Sequence, residues 1–400
     1  MESQPLSDTQ LQAFHFEVLP PLTLYIHIPW CVRKCPYCDF NSHSVKDAVP
    51  EQEYIDALLT DLDQDLPLVW GRRIGAIFIG GGTPSLFSPH SVERLLSGVR
   101  ARIPCSPALE TTLEANPGTV EQSRFQDFRA AGINRLSIGV QSFADVQLQA
   151  LGRIHSAQEA SRAIEAAFAA GFDNINLDLM FGLPGQSLAD AQADLQQAIA
   201  LSPTHISYYQ LTIEPNTLFY AQPPRLPDDE RIWLMQQQGQ ALLAQHGYQQ
   251  YEISAYAQRD RQCAHNLNYW HFGDYLGIGA GAHAKLSDAQ QQHIVRLAKT
   301  RHPSQYLRGV GNEGCIASRQ ILAPDDALFE FMLNTMRLVD GVQQDDFRRH
   351  AGLPFASLKP MLETARQRGL LQLDHSRIKP TAQGLRYLND LLQLFLPESG

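Results

Sequence analysis

The 400 residues carry 44% hydrophobic side chains and 42 acidic against 32 basic groups, a formal net charge of -10. That surplus of negative charge argues against a chain that grips nucleic acid by its phosphates and leaves small anions to local donors. No apolar run reaches the roughly 18 to 20 residues of a membrane span, and Glu2 and Asp8 stand where a secretory signal carries Lys or Arg, so a cytoplasmic protein is expected.

From Leu22 to Ile213 short β-branched runs alternate with helical periodicity. Leu22–Ile28 reads as the first strand. A helix over Pro50–Leu66 follows, with Ile55, Leu58, Leu59 and Leu62 at helical spacing, then a strand over Ala76–Gly80. Ser88 and Pro89 open the next helix, which places Val92, Leu95, Leu96 and Val99 on one face. Further strands are read at Leu109–Ala115, Asn134–Val140, Asn174–Phe181 and His205–Ile213, with helices at Gln122–Ala131, Ser156–Ala170 and Leu188–Ala200 between them. Ser156-Ala-Gln-Glu159 has the form of a capping box, and Ser187 that of an N-cap. Six strands separated by helices imply an α/β fold of parallel βα units with right-handed crossovers. They fit an open, partial (β/α)6 barrel at least as well as a closed eight-stranded one.

Beyond Ile213 the pattern turns irregular. Pro215, Pro223, Pro224 and Pro227 mark a connector, followed by a helix over Asp229–His246, a strand over Gln249–Tyr256 and a loop rich in His, Asn, Tyr, Trp and Gly over Cys263–His283. Helices at Asp325–Leu338, Gln344–Ala351 and Leu358–Arg368 precede a hairpin of Leu370–Leu373 and Arg377–Lys379 and a closing helix over Thr381–Phe395. That order suggests a mainly helical, winged-helix-like domain acting as a lid or protein contact. The chain then divides into an N-terminal segment (1–21), a barrel (22–213), an extension and connector (214–323) and the C-terminal domain (324–400).

Cys31, Cys35 and Cys38 fall within eight residues directly after the first strand, whereas Cys105, Cys263 and Cys315 are scattered. Without a secretory signal the trio reads as a ligand set, not a disulfide framework. Thiolates suit zinc and iron-sulfur clusters alike. Zinc would need a fourth ligand, His27 or His43, whereas a cubane on three thiolates keeps one iron open. Arg33 and Lys34 in the same loop favour the thiolate form. Gly80-Gly81-Gly82-Thr83 after the second strand makes either a tight turn or a close backbone approach to a ligand. Glu114, Gln141 and Asp178 also follow or end strands, and in a parallel barrel such positions converge on one mouth.

The Cys-x3-Cys-x2-Cys spacing resembles the radical S-adenosylmethionine superfamily. Tyr25-Ile-His-Ile-Pro-Trp-Cys31, Gly80-Gly-Gly-Thr-Pro-Ser85, Arg135-Leu-Ser-Ile-Gly-Val-Gln-Ser-Phe143, Leu151-Gly-Arg-Ile-His155 and Asn176-Leu-Asp-Leu-Met-Phe-Gly-Leu-Pro-Gly185 narrow the resemblance to the oxygen-independent coproporphyrinogen III oxidase group. It implies a 4Fe-4S cluster on Cys31, Cys35 and Cys38 whose open iron takes the amino and carboxylate groups of S-adenosyl-L-methionine. Reductive cleavage of that molecule releases a 5'-deoxyadenosyl radical. Tyr25 would support the methionyl end, Gly80, Gly81, Gly82 and Thr83 the amino group, and Glu114 the cofactor or its surroundings. Gln141 and Asp178 would take the ribose hydroxyls and Arg153 the carboxylate.

The true oxidases of the group carry another cysteine two residues past the third ligand, where this chain has Phe40 after Asp39. That departure, the lack of a long N-terminal extension, and His265-Asn-Leu-Asn-Tyr269-Trp270 followed by Gly273-Asp-Tyr-Leu-Gly-Ile-Gly-Ala-Gly281 match a branch of heme chaperones. Phe40 is counted with the cofactor-site residues on this ground. The resemblance then implies heme as a bound group, with His265 favoured for contact, Cys263 second, and Tyr269 and Trp270 as flat walls. It also implies hemoprotein acceptors, membrane-bound respiratory enzymes among them, reached peripherally, with no nucleic-acid partner and a homodimer left open. Three rivals stand beside this reading. One is an oxidase that decarboxylates two propionates, another a non-catalytic interaction protein with a structural cluster. In the third, His265 and Asn266 only hydrogen-bond a loop.

Overall fold

The structure, a computed structural model, describes residues 14–45, 48–118, 122–374 and 376–397; residues 1–13 of the N-terminal segment lie outside them. The apolar runs form parallel strands β1 (Leu22–Ile28), β2 (Ile74–Gly81), β3 (Cys105–Ala115), β4 (Arg135–Gln141), β5 (Ile175–Phe181) and β6 (His205–Gln210). Helices α1 (Glu51–Asp65), α2 (Pro89–Arg102), α3 (Phe125–Ala131), α4 (Ala157–Ala169) and α5 (Leu188–Ala200) connect them. Local signals set the helix starts. The Ser88 hydroxyl accepts from the Ser91 amide at 3.2 Å, and Ser156 with Glu159 and Ser187 with Asp190 complete reciprocal capping boxes, each satisfying amides that the first turn leaves unpaired.

The sheet does not stop at β6. Helix α6 (Asp229–Gln245) leads to a hairpin of β7 (Gln249–Glu252) and β8 (Ala255–Ala257), and β8 lies antiparallel on β6. Helix α7 (Ala264–Trp270) then precedes β9 (Asp274–Ile278), which runs parallel to β1 with Leu22 opposite Asp274 and Ile26 opposite Ile278. Strands β10 (His283–Asp288), β11 (His293–Lys299) and β12 (Ile316–Ile321) extend that edge antiparallel. The spatial order is β12-β11-β10-β9-β1-β2-β3-β4-β5-β6-β8-β7, an open sheet of twelve strands with a parallel centre.

This corrects the expected loop over Cys263–His283, which is a helix and a seventh parallel strand. Its signal was weak because β9 sits among glycines. Gly277 is required there, since a Cβ would lie 1.9 Å from the His283 carbonyl oxygen, and glycine in a strand dilutes the pattern that marks one.

In the C-terminal region α8 (Pro324–Thr335) and α9 (Lys359–Gln367) accompany a small sheet of β13 (Val342–Gln343), β14 (Leu371–Leu373) and β15 (Arg377–Pro380), with β15 central. The expected closing helix breaks at Tyr387 into Ala382–Arg386 and Leu388–Gln393. Phe331, Phe347, Leu362, Ile378 and Leu391 form a core separate from that of the barrel, and Phe16 and Phe272 join it.

One buried ion cluster ties the extension to the barrel. The Lys299 ammonium, 1% exposed, donates to Asp61 at 2.6 Å and Asp65 at 2.7 Å. Asp61 also accepts from the Tyr306 hydroxyl at 2.7 Å and the Gly279 amide at 3.0 Å. Burial outweighs the pull of Lys299 and holds Asp65 at about 6. Lys299→Met leaves two carboxylates buried without their cation and is expected to lower stability by about 3 to 5 kcal/mol at neutral pH. Urea unfolding measures it. Part of the loss should return as the pH falls, because the orphaned carboxylates take up protons in the folded state; a loss below about 1 kcal/mol would contradict the assignment.

Candidate functional site

The cysteine loop leaves the C-terminal end of β1 and is braced from within. The Lys34 ammonium donates to the carbonyls of Phe40 at 3.1 Å and Ser42 at 3.4 Å, and the Cys38 amide reaches the Cys35 carbonyl at 3.2 Å. Trp30–Cys31 pairs with His43–Ser44, closing the loop at its base. All three thiols are free and half-buried. Burial raises Cys31 and Cys38 above the ordinary thiol range, and the neighbouring sulfurs raise them further. Hydrogen bonds from Thr83 and Ser42 on Cys31, and from the Phe40 backbone and Ser42 on Cys38 with the charge of Lys34, oppose that rise.

Sulfurs gathered so that each disfavours the other's ionisation, yet supplied with donors for the anion, are a donor set that a multiply charged cation would complete. The residues present therefore fit the implied cluster. The two histidines of the zinc alternative differ: His43 Nε2 is buried without a hydrogen-bond partner among the described residues, whereas His27 is occupied. Both His27 nitrogens are engaged, Nδ1 with the Tyr25 hydroxyl at 2.9 Å and Nε2 with the Asn41 carbonyl at 2.8 Å.

The glycine run has a packing reason of its own. A Cβ on Gly81, whose φ is +118°, would meet the His27 ring at 2.6 Å, and one on Gly82 would meet the Trp30 carbonyl oxygen at 2.4 Å. The amides of Gly82 and Thr83 donate to Ile28 and Trp30 at 2.7 Å. The run thus seats β2 against the start of the cysteine loop, and only the Gly81 amide turns inward, to Glu114 Oε2 at 3.0 Å. A Cβ on Gly80 would stand 3.1 Å from the same carboxylate.

Glu114 and Asp178 are partly exposed acids inside the barrel. Burial, then the charge of Asp178, pushes Glu114 up to about 8 against the Gly81 amide. Asp178 is raised by burial and held back by bonds from Asn176 at 2.8 Å and Ser137 at 3.1 Å. Gln141 has φ +69° at a register shift between β4 and β5, and its Oε1 accepts from Tyr209 at 2.8 Å. Arg153 donates to Asn116 at 2.7 Å, to the Gly139 carbonyl at 2.8 Å and to Cys35 Sγ at 3.6 Å. It thereby bridges the cysteine loop to the ends of β3 and β4. Two acids, an amide and a guanidinium around one opening can bind a ligand with hydroxyls, an ammonium and a carboxylate.

Sequence reasoning missed Asn116, Tyr209, Ser137 and Asn176, which hold these side chains. Asn116 also donates to Thr83 at 2.9 Å. Its place one residue past β3 was the available signal.

His265 lies elsewhere. Helix α7 packs under the N-terminal ends of the strands, where the Ala264 amide bonds Glu110 at 2.8 Å and Asn268 bonds Thr23 at 3.3 Å. The His265 ring is 8% exposed, with Phe78 at 5.2 Å and Tyr25 at 6.2 Å between centroids. Its Nδ1 is buried without a hydrogen-bond partner among the described residues, and burial drops it to about 4, so the ring is neutral. Burial likewise pushes Cys263 up to about 12, so it is a thiol at neutral pH. Tyr269 and Trp270 contact each other edge-on, with Trp270 under the Arg337 guanidinium at 4.4 Å. Phe40, by contrast, is 61% exposed on the cysteine loop.

Residues 25–198 match the family described as the radical SAM superfamily, and residues 322–387 the HemN C-terminal domain. The chain is 52% identical over 380 residues to heme chaperone HemW of Escherichia coli (strain K12) and 51% over 384 to heme chaperone HemW of Haemophilus influenzae, covering 95% of this chain and 99% of each relative. It is 34% identical to mouse radical S-adenosyl methionine domain-containing protein 1, mitochondrial, over 94% of this chain and 87% of that one. Among solved structures, coproporphyrinogen III oxidase (HemN) from Escherichia coli, a radical SAM enzyme, superposes with a TM-score of 0.79 at 25% identity, covering 94% of this chain and 90% of that one. Among the described residues no helix is long and apolar enough to cross a membrane. The cysteine loop, the mouth of the parallel barrel and the near-complete overlap at high identity place the chain in the HemW-like, HemN-related branch of the radical SAM family.

Proposed function

We propose that this protein is a heme chaperone: it binds heme, holds a 4Fe-4S cluster on Cys31, Cys35 and Cys38 with S-adenosyl-L-methionine beside it, and delivers heme to hemoprotein acceptors. The observation that carries the reading is near-full-length identity of 52% to a protein named for that role. Phe40 on the surface of the cysteine loop supports it, since the oxidase group has a further cysteine there. A cluster so held supplies the electron for cleaving the sulfonium of S-adenosyl-L-methionine. The chain's own part is to bind and orient. Arg153, held by Asn116, Gly139 and Cys35, sets a fixed positive charge beside the carboxylate, Glu114 faces the ammonium, and Gln141 and Asp178 accept from the ribose hydroxyls. Acceptors include membrane-bound respiratory enzymes, met peripherally in the cytoplasm.

The deciding experiment gives anaerobically reconstituted protein heme in one arm and coproporphyrinogen III with reductant in the other. Heme uptake and passage to an apo-hemoprotein, without protoporphyrinogen, is expected; multiple-turnover protoporphyrinogen formation would establish the oxidase instead.

Two narrower outcomes follow from the site. Cys35→Ser should abolish normal cluster assembly, read as iron and sulfide content and visible absorbance; an intact cluster in that variant would reject the ligand set. Because Glu114 sits at about 8, an ammonium ligand meets mostly its neutral form at pH 7. Affinity for S-adenosylhomocysteine should therefore rise between pH 6 and 8, approaching about tenfold per unit for one linked proton. Glu114→Gln should flatten the profile by calorimetry, and an unchanged slope would remove Glu114 from the ligand's ammonium.

A further inference from the structure

Beside the cysteine loop, on the side of α3 and α4, lies a cavity of about 380 Å³ that shares Cys35, Asn116 and Arg153 with the site above and continues past them along Val32, Arg33, Leu86, Arg124 and Ile154. Val32, Leu86 and Ile154 form its apolar wall, and Arg33, Arg124 and Arg153 its cationic one. Val32 is 52% and Ile154 62% exposed, so a flat apolar ligand would cover surface now in water. Among the described residues the three guanidinium groups of the lining outnumber its single carboxylate. Arg153 is committed to Asn116, Gly139 and Cys35, whereas Arg124 makes, among the described residues, a single 3.4 Å bond to the Leu86 carbonyl. Neither Arg33 nor Arg124 has an ion pair with a described residue, whereas guanidinium groups elsewhere, such as Arg102 on Asp63 at 2.8 Å, do.

The one carboxylate of the lining, Glu159, stays ionised, since the Ser156 amide at 2.8 Å and hydroxyl at 2.9 Å both donate to its Oε2 and lower its pKa, so it offsets one of the three guanidinium charges and leaves the wall net positive. His155, also lining the cavity, donates Nε2–H to the Val140 carbonyl at 3.1 Å and, held at about 4 by burial, contributes no charge. Two guanidinium groups without an ion pair among the described residues, beside an apolar wall, match a ligand with an apolar body and carboxylates on one edge.

We propose that this cavity receives the propionate-bearing edge of heme, with Arg33 and Arg124 pairing its carboxylates and Val32, Leu86 and Ile154 covering the adjoining ring face. This rests on the heme-chaperone reading, and it puts the cargo beside the cysteine loop instead of on His265 under the barrel. The cavity's size suits an edge of the macrocycle, with the remainder lying over the exposed rim.

The test titrates the cluster-loaded protein with heme and, separately, with heme dimethyl ester, whose propionates are neutral. Affinity is followed by Soret absorbance in wild type, Arg124→Gln and the Arg33→Gln/Arg124→Gln double variant. The double variant is expected to lose about tenfold or more in heme affinity while ester affinity changes by less than about twofold. Arg124→Gln alone, outside the cysteine loop, should show the same selectivity in smaller measure and keeps the test valid if Arg33→Gln disturbs the cluster. Equal losses for heme and ester, or no loss for heme, would overturn the carboxylate assignment while the chaperone reading stands. A wild-type protein that takes up no heme would overturn both.

Discussion

The hydrogen bonds of His27 hold the cysteine loop to the barrel. Nε2 can meet the Asn41 carbonyl only as a donor, which makes Nδ1 the acceptor for the Tyr25 hydroxyl. Burial lowers the imidazole's pKa and so preserves that neutral tautomer. The ring fills the space a Gly81 side chain would need. Asn41 in turn donates to the Ala280 and Arg301 carbonyls, each at 2.9 Å. A short chain of contacts thus joins the inner strand, the glycine turn, the loop that carries the thiols and the extension beyond β9.

Within the barrel, polarity is organised as a directed chain. Tyr251 donates to His205 at 2.8 Å, His205 to Asn176 at 2.5 Å, and Asn176 to Asp178 at 2.8 Å. Each buried group meets a partner of opposite hydrogen-bonding sense, as a low-dielectric interior demands. Asp178 is therefore held through residues of β5, β6 and the hairpin strand β7, while its other oxygen accepts from the Ser137 hydroxyl of β4 at 3.1 Å. The Val339 amide bonds the Tyr251 carbonyl at 3.1 Å, so the C-terminal region abuts the base of this chain.

How much of this was legible in the sequence follows from how local each signal is. Ser88, Ser156 and Ser187 announced their helices because a cap acts within four residues. The six strands of the barrel stood out because parallel strands buried on both faces read as apolar runs. Strand β9 did not, because close packing at Gly277 replaced its apolar signal with glycine. The thiols and their strand-end companions were readable as a pattern, but the partners Asn116, Tyr209 and Asn176 were not, since a polar residue at a strand end carries no mark of what it bonds. His265 shows the limit most plainly: a motif recognisable from spacing turned out to lie under Tyr25 and Phe78, a placement only the three-dimensional course of α7 reveals.

The central claim is that the thiol loop and the acid-lined mouth form one site for a cluster with an open iron and an adenosyl ligand. Electron paramagnetic resonance of the reduced, reconstituted protein, recorded with and without S-adenosyl-L-methionine, tests this directly. The account predicts the signal of a 4Fe-4S cluster whose line shape and g-values shift when the ligand is added, because the ligand binds the iron itself. A cluster signal that is indifferent to saturating ligand would contradict it.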